Sequence, residues 1–261
     1  MRLTILGCGS SSGTPSLDGG WGKCDPTDPR NRRLRPAVLV ENGDSRLLVD
    51  TPPDIRQQLI DADVAALDAI LYTHFHADHL HGIDDLRAVN RRMNAPLDAY
   101  ADTETLRIIG ARFGYVFTPL PPETDYYFKP VLVPRLIRPG EAFHVGAIPV
   151  TPFEQDHGVC RTMGFRFGSI AYSTDVVRLD ADALAALGGV AVWIIGTLGD
   201  RPHPTHAHVD LALEWIEMVK PGRAILTGLG GGLDYETLKR RLPAGVEPAY
   251  DGMAIETAGS R

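Results

Sequence analysis

Within six consecutive residues, this chain carries four side chains of the kinds that bind metal ions, in the segment His74-Phe75-His76-Ala77-Asp78-His79. Imidazole nitrogen suits zinc, iron, manganese and copper, whereas carboxylate oxygen suits harder divalent ions. His74 and His76 are two residues apart, so on an extended segment they face the same side. Asp78 and His79 follow after the chain has turned. The spacing therefore indicates two adjacent metal positions rather than a polar loop that happens to contain histidine.

The residues around this segment alternate between predicted strands and helices. A short buried strand over 69–72 leads into it, and a long irregular stretch covers 7–36. Further strands are predicted over 2–6, 37–41, 46–49, 97–101, 131–136, 148–152, 164–167, 169–173, 190–195, 224–227 and 253–256. Helices are predicted over 54–62, 83–93, 103–113, 182–187, 209–219 and 235–241. This order, without a linker or a break in composition, predicts one α/β domain over 1–261, with helices outside and sheet inside.

Composition narrows the class of protein. The chain has 261 residues, 44% of them hydrophobic and 23% charged, and a net charge of −7, which gives no sign of a nucleic-acid partner. Its three cysteines, Cys8, Cys24 and Cys160, are too few and too widely spaced for a disulfide framework, which favours a reducing compartment. The N-terminal residues lack the apolar core of a signal peptide, and no stretch approaches a membrane span. We expect a soluble, cytoplasmic protein.

The pattern His-x-His-x-Asp-His after a short buried strand resembles the signature of the metallo-β-lactamase superfamily. The resemblance implies that superfamily's α/β fold, a four-layer αββα sandwich. It extends to Asp50 after strand 46–49, to His157 in the sequence QDHG and to Asp175 in YSTD. Three further stretches resemble the branch that contains the PhnP cyclic phosphodiesterases, which lies near the tRNase Z-like nucleases. They are LGCG leading to SGTP over 6–15, WG at 21–22 and YDGMAI over 250–255.

The resemblance implies a centre with two divalent ions, zinc or manganese, with iron as an alternative. The implied ligands of the first ion are His74, His76 and His157. Those of the second are Asp78 and His79, with Asp175 bridging the two ions and Asp50 orienting the histidine loop. Two ions roughly 3.5–4 Å apart would lower the pKa of a bridging water and clamp a phosphoryl group. The expected nucleophile is a metal-bound hydroxide.

The leaving oxygen of such a reaction needs a proton. His206 and His208 are the candidate donors, and with Asp78 they complete the predicted catalytic residues. His206 precedes the helix over 209–219, and its position resembles that of the family's acid-donating histidine. A histidine-rich surface turn is the alternative interpretation, because a general acid is defined by geometry that a sequence does not contain.

Two features depart from the family's pattern. The superfamily usually supplies one more histidine after the late strand, where this chain has Gly228-Leu229-Gly230-Gly231-Gly232. Three consequences are open. The second ion is held weakly by fewer side chains and water, or His206 serves as the additional ligand, or the activity is low or altered. The glycines could also bring backbone N–H groups to a phosphate, but we favour a flexible turn. Cys24 stands where relatives have a cysteine cluster, and because one thiolate cannot form a tetrahedral site, we expect no structural zinc there.

The leading hypothesis is a phosphodiesterase acting on a small, cyclic or linear, nucleotide or sugar phosphodiester. The alternatives are a lactonase or thioesterase, a tRNase Z-like nuclease, and a metal- or nucleotide-binding protein with weak or no catalysis. No long basic insertion of the kind that docks RNA is present, and a homodimer is the default assembly. The arginines over 30–35 are expected in a solvated loop, with phosphate steering as the minority view. The aromatic residues over 126–128 would stack a nucleobase or fill a β-rich insertion.

Overall fold

Two seven-stranded sheets make up the centre of the molecule, for which a computed structural model describes residues 1–257. The strands are β1 (Arg2–Gly7), β2 (Ala37–Asn42), β3 (Ser45–Val49), β4 (Ala69–Leu71), β5 (Leu97–Ala101), β6 (Leu132–Leu136), β7 (Phe143–Val145), β8 (Ile148–Asp156), β9 (Arg161–Phe167), β10 (Ile170–Ser173), β11 (Val192–Gly196), β12 (Arg223–Thr227), β13 (Val246–Pro248) and β14 (Ala254–Glu256). The helices are α1 (Ile55–Asp61), α2 (Ala77–Leu80), α3 (Leu86–Met93), α4 (Thr103–Phe113), α5 (Ala181–Ala186), α6 (Val209–Val219) and α7 (Tyr235–Arg241).

The first sheet has the strand order β14-β1-β2-β3-β4-β5-β6, and the second has the order β13-β12-β11-β10-β9-β8-β7. Strands β3 to β6 run parallel, as do β10 to β13. Strands β8 and β9, and β9 and β10, are antiparallel, so β8 runs in the same direction as β10. Because strands of one direction end at the same edge of a sheet, the residues that follow β8 and β10 are brought to a common edge.

Alternating side chains of each strand fill two different hydrophobic layers. Val38 and Val40 of β2 pack between the two sheets, whereas Leu39 faces the outer helices. In β11, Ile194 points into the layer between the sheets, and Trp193 points outward. This alternation follows from the two-residue period of a strand. Helices α1, α3 and α4 cover the outer face of the first sheet, and α5, α6 and α7 cover the second. The predicted αββα sandwich is thereby confirmed.

Most predicted elements agree with the structure, and α4, α6, α7 and β5 agree in their bounds. The prediction misses β7, β13 and α2, and the first three residues of the predicted helix 83–93 form a tight 3-10 turn. The aromatic stretch is not a buried β insertion, since Tyr126 and Phe128 are 59% and 43% exposed and lie outside any strand. Within residues 1–257, no helix has both the length and the apolar character needed to cross a bilayer.

Candidate metal centre

The candidate ligands and Asp50 lie in segments that follow the ends of strands at one edge of the two sheets, with Asp78 and His79 in the single turn of α2. Asp50 follows β3, His74 lies in the loop after β4, His157 follows β8 and Asp175 lies after β10. Asp50 and Asp175 have φ angles of 65° and 49°, a backbone conformation that is uncommon for residues other than glycine. Such conformations persist where the surrounding structure holds them, and they concentrate at functional sites. The fold therefore brings residues from four separate segments to one place.

Asp175 stands between two groups of side chains. In the first, the ligand atoms of His74, His76, His157 and Asp175 lie within 4.8 Å of one another. The Asp175 Oδ2 atom is 3.6 Å from His74 Nε2 and 3.5 Å from His157 Nε2. The other oxygen, Oδ1, is 3.4 Å from His79 Nε2, which in turn is 3.4 Å from Asp78 Oδ2. The carboxylate therefore has one oxygen on each group, which is the arrangement of a bridging ligand.

Hydrogen bonds behind the histidines aim their Nε2 atoms into the cluster. The Nδ1 atom of His157 is 2.7 Å from the carbonyl oxygen of Thr205, which can only accept, so Nδ1 carries the proton and Nε2 has a free lone pair. The Nδ1 atom of His79 is 2.7 Å from Asp50 Oδ2. Carboxylate and carbonyl partners of this kind orient metal-ligating histidines and raise their basicity.

Asp50 joins the two groups through Thr73. It is fully buried, and it accepts hydrogen bonds from the backbone N–H of Thr73 at 2.8 Å and from its hydroxyl at 2.7 Å. The same hydroxyl oxygen lies 3.0 Å from His74 Nδ1. One buried carboxylate thus positions His79 directly and His74 through one intervening side chain. This is the supporting role that the sequence resemblance implied for Asp50.

The protonation states that the cluster favours are compatible with cation binding. Burial lowers the pKa of His74, His76 and His157, which keeps these imidazoles in the neutral form that binds metal. Burial alone would also lower the pKa of His79, but the carboxylates around it, Asp175 foremost, raise it well above its usual value. For the Asp175 carboxyl, burial alone would have the opposite effect and raise the pKa. The charge of His79 and the hydrogen bond from His206 instead hold the pKa of Asp175 well below its usual range. Without metal, a proton on His79 is the positive charge that balances these carboxylates.

The residues present fit a divalent ion. The Nε2 atoms of His74 and His79 are buried, and among residues 1–257 they have no hydrogen-bond partner. Leaving a buried polar atom unpaired costs about 1–3 kcal/mol, and a metal bond satisfies such an atom. The first group offers three imidazole nitrogens and one carboxylate, a set suited to zinc or manganese, and the second offers one nitrogen and two carboxylates.

The three predicted catalytic residues do not all reach the cluster. Asp78 belongs to the second group, and His206 places Nε2 3.4 Å from Asp175 Oδ2. The hydroxyl oxygen of Thr205 is 2.8 Å from His206 Nδ1 and orients the ring. His208 instead immediately precedes α6, and within the described chain its side chain forms no hydrogen bond or ion pair with the cluster. Geometry therefore favours His206 over His208 as a proton donor.

The glycine-rich loop after β12 is held in place, so the prediction of a flexible turn is wrong. Leu229 N–H donates to Cys8 O at 2.8 Å, Gly230 N–H donates to Leu198 O at 3.0 Å, and Lys23 N–H donates to Gly231 O at 2.7 Å. Any Cβ at Gly22, whose φ is 58°, would collide with Gly231 O. The loop thus packs tightly against the N-terminal segment, and residues 228–232 add no ligand to the cluster.

Arg33 corrects the expectation of a solvated arginine loop. It is 1% exposed, and it donates hydrogen bonds to Gly230 O at 3.3 Å, to Leu233 O at 2.7 Å and to Asn31 Oδ1 at 3.0 Å. A side chain buried in this way cannot steer phosphate from solvent. Its role is to hold the glycine-rich loop, and the same loop accepts weak hydrogen bonds from the thiol of Cys24. The spacing of the arginines over 30–35 in the sequence does not indicate that Arg33 is buried.

Comparisons with known proteins agree with this fold. Residues 45–228 match the family described as the β-lactamase superfamily domain. A protein named octanoyltransferase from Porphyromonas gingivalis is 32% identical over 257 residues, 97% of this chain and 51% of that protein. A ribonuclease Z from a Bradyrhizobium species is 32% identical over 151 residues, 55% of this chain and 47% of that protein. The chain therefore spans about half the length of these curated relatives.

Among solved structures, a diphosphatase from the PhnP family is 32% identical, with a TM-score of 0.89 and coverage of 98% of both chains. Together with the match over 45–228, this shows that the chain belongs to the metallo-β-lactamase superfamily. Within that superfamily it is PhnP-like, as the motifs near its two ends had indicated. Folds of this kind bind divalent metals, and the histidine and aspartate cluster of this chain offers two groups of candidate ligands.

Proposed function

We propose that this protein is a metal-dependent phosphodiesterase that hydrolyses a small nucleotide or sugar phosphodiester, cyclic or linear. The observation that carries the proposal is the cluster itself, in which Asp175 lies between two groups of ligand atoms and two buried Nε2 atoms form no hydrogen bond with the described residues. Such a pair of adjacent cation positions matches the needs of phosphoryl transfer, which depends on positioning and on stabilising charge. Similarity to the PhnP-family diphosphatase over nearly the whole chain supports phosphorus as the reacting centre.

In this proposal, His74, His76, His157 and Asp175 hold one ion, and Asp78, His79 and Asp175 hold the other. Bound divalent ions supply Lewis-acid polarisation of the phosphoryl group and lower the pKa of water. Zinc and manganese both suit these donors, with iron as the alternative. Asp50 keeps the ring of His79 in one orientation, and Thr205 does the same for His157 and His206. His206 is positioned to deliver a proton to the leaving oxygen.

A second candidate is hydrolysis of a diphosphate linkage. It is favoured by one specific finding, the name and 98% coverage of the PhnP-family diphosphatase. Diesters and diphosphates present the same tetrahedral phosphoryl group and a leaving oxygen that needs a proton, so one cluster could serve either substrate. The two candidates differ in the leaving group, which is an alkoxide or a phosphate.

The test is a turnover screen of protein from which metal has been removed and to which zinc, manganese or iron has been returned. Substrates are bis-p-nitrophenyl phosphate, 2′,3′-cyclic nucleotides, dinucleotides joined through a diphosphate, a lactone, a thioester and a tRNA precursor. We expect turnover of a phosphodiester that depends on added metal. His76→Ala should abolish it by removing a ligand, whereas His144→Ala, an exposed histidine of β7, should not.

Each other outcome has a clear meaning. Preference for the diphosphate selects the second candidate, and turnover confined to the lactone or thioester refutes a phosphoryl centre. Cleavage of the tRNA precursor alone would select the nuclease that the ribonuclease Z relatives suggest. Two bound ions without turnover of any substrate would leave a metal-binding protein. Full activity of His76→Ala would refute the metal mechanism altogether.

A further inference from the structure

One arginine beside the metal-binding loop has no carboxylate partner within residues 1–257. Arg112 lies in the last turn of α4, and its Nη1 donates a hydrogen bond to the carbonyl oxygen of Phe75 at 3.1 Å. Phe75 is the residue between His74 and His76. The guanidinium carbon also lies 5.9 Å from the centre of the Phe75 ring, within the range of a cation–π contact. The guanidinium group is thus fixed to the loop that carries two candidate ligands.

The ring of Phe75 connects Arg112 to the open side of the cluster. It lies 5.3 Å from the ring of His76, centre to centre and nearly perpendicular. His76 is only partly buried, whereas His74 is fully buried, so solvent reaches the cluster on the His76 side. Arg112 is itself exposed. Its long side chain is therefore held, through Phe75, next to the more exposed of these two histidines.

Two arginines close to His157 in the structure are already paired with a carboxylate. Arg161 lies 3.7 Å from Asp156, the residue before His157, and Arg178 lies 3.7 Å from the same carboxylate. Arg112 forms no ion pair with any residue of the described chain. Only one of its five N–H groups is engaged by Phe75 O, and the remaining ones are free to bind an anion.

Charge gives a second reason to expect an anion here. A cation next to a centre that holds divalent cations is repelled by them. An anion that lies between the two relieves this repulsion, and a planar guanidinium group matches the oxygens of a phosphate with two parallel hydrogen bonds. A neutral lactone or thioester would leave the arginine unpaired.

We propose that Arg112 is the anion-binding residue of this site and holds a phosphate oxygen of the substrate. The proposal rests on the proposed function, because it assigns the substrate's charge to a particular side chain. It predicts a preference for anionic phosphate compounds over neutral esters. Arg112 acts in binding and leaves metal occupancy unchanged.

The test uses inorganic phosphate as the probe and metal-loaded full-length protein. The variants are Arg112→Gln, which removes the charge, and Arg112→Lys, which keeps the charge but loses the planar fork. Arg107→Gln is the matched control, an exposed arginine of the same helix that pairs with Glu104. Calorimetry gives phosphate affinity, elemental analysis gives metal content, and steady-state kinetics with bis-p-nitrophenyl phosphate give kcat and KM.

Arg112→Gln should weaken phosphate binding and raise KM by about ten- to hundredfold, the range for a charged hydrogen-bonding pair. The phosphate affinity and KM of Arg112→Lys should lie between those of Arg112→Gln and wild type, and those of Arg107→Gln should match wild type. All variants should have the metal content of wild type. Phosphate affinity and KM of Arg112→Gln within twofold of wild type would overturn the assignment, as would a metal-loaded wild type that binds no phosphate. Phosphate binding that depends on Arg112, without turnover of any phosphodiester, would uphold the assignment and overturn the proposed function alone.

Discussion

Replacement of Asp50 by asparagine tests whether the buried hydrogen bonds behind the cluster control metal binding. Asparagine has the same shape and is among the residues that best tolerate a positive φ, so the 65° backbone angle is not disturbed. Alanine would leave three buried donor contacts, two with Thr73 and one with His79, without an acceptor. At about 1–3 kcal/mol each, that loss approaches the whole stability of a typical domain. Asparagine therefore isolates the effect on the metal.

The expected magnitude follows from these contacts. The carboxylate of Asp50 has two oxygens that accept these hydrogen bonds, whereas asparagine has one carbonyl oxygen. The NH₂ group of asparagine must therefore face one of the donors. His79 loses its charged partner, and loss of such a supporting hydrogen bond typically weakens metal affinity about 10- to 100-fold. We expect this loss for the ion held by Asp78 and His79. The ion held by His74, His76 and His157 should be less affected, because His74 contacts Asp50 only through Thr73.

The assay is titration of metal-free protein with zinc in competition with a chromophoric chelator, supported by elemental analysis. Asp63→Asn is the matched control, because Asp63 has a φ of 53° but is exposed and lies at the end of α1. The titration of Asp50→Asn should show two zinc-binding steps whose affinities differ more than those of wild type. If Asp50→Asn binds two ions with affinities within twofold of wild type, the argument that Asp50 positions His79 is wrong.

Three further predictions concern the second ion, the buried arginine and pH. Asp78→Ala should lower metal content from two ions to one, because the second group has three side-chain ligands and loses one of them. Arg33→Met should reduce the free energy of unfolding, measured in urea, by about 2–6 kcal/mol, because it leaves two buried carbonyl acceptors unpaired at about 1–3 kcal/mol each. Burial raises the pKa of Asp251 to about 6, so its contribution to stability is complete below about pH 4 and is lost as pH rises through 6. Across this window the stability cost of Asp251→Asn should therefore shrink by up to about 3 kcal/mol.

The first two of these predictions have a control variant in the same chain, and the third is tested by its pH dependence. Asp44→Ala, in an exposed turn, should keep both ions, and retention of both by Asp78→Ala would refute its place in the second group. Arg32→Met should change the free energy of unfolding little. An equally small change for Arg33→Met would contradict the conclusion that Arg33 holds the glycine-rich loop in place. A stability cost of Asp251→Asn that stays constant or grows from pH 4 to pH 7 would show that the pKa of Asp251 is not raised.

Local patterns in the sequence were sufficient for the elements whose own residues determine them. The helices predicted over 103–113, 209–219 and 235–241 have their observed bounds, and in the structure the side chains of Asp102 and Asp234 cap the first turns of α4 and α7. The strands β7 and β13 have three residues each and form by pairing with a neighbour, which leaves no periodic signal. The single turn of α2 is too short to be stable alone and depends on the loop around it.

The cluster could be predicted because four of its candidate ligands lie within six residues, in a pattern that matches a known family signature. The positions of Asp50, His157 and Asp175 came from resemblance, since no local property of those residues distinguishes them from other buried polar groups. Choosing between His206 and His208 required distances. The two candidates are two residues apart, and only the path of the chain into α6 decides which ring meets Asp175.

Arginine shows most clearly why a residue type alone does not determine a role. Arg33 and Arg112 carry the same charge, yet backbone carbonyls surround the first on several sides, whereas the second meets one carbonyl and solvent. The number of acceptors that the fold places around each guanidinium group decides between holding a loop and binding a ligand. Those acceptors are backbone atoms of Gly230, Leu233 and Phe75, whose side chains reveal nothing about the contact. A charged residue beside a metal-binding loop therefore becomes a candidate for substrate binding only when its partners have been counted in three dimensions.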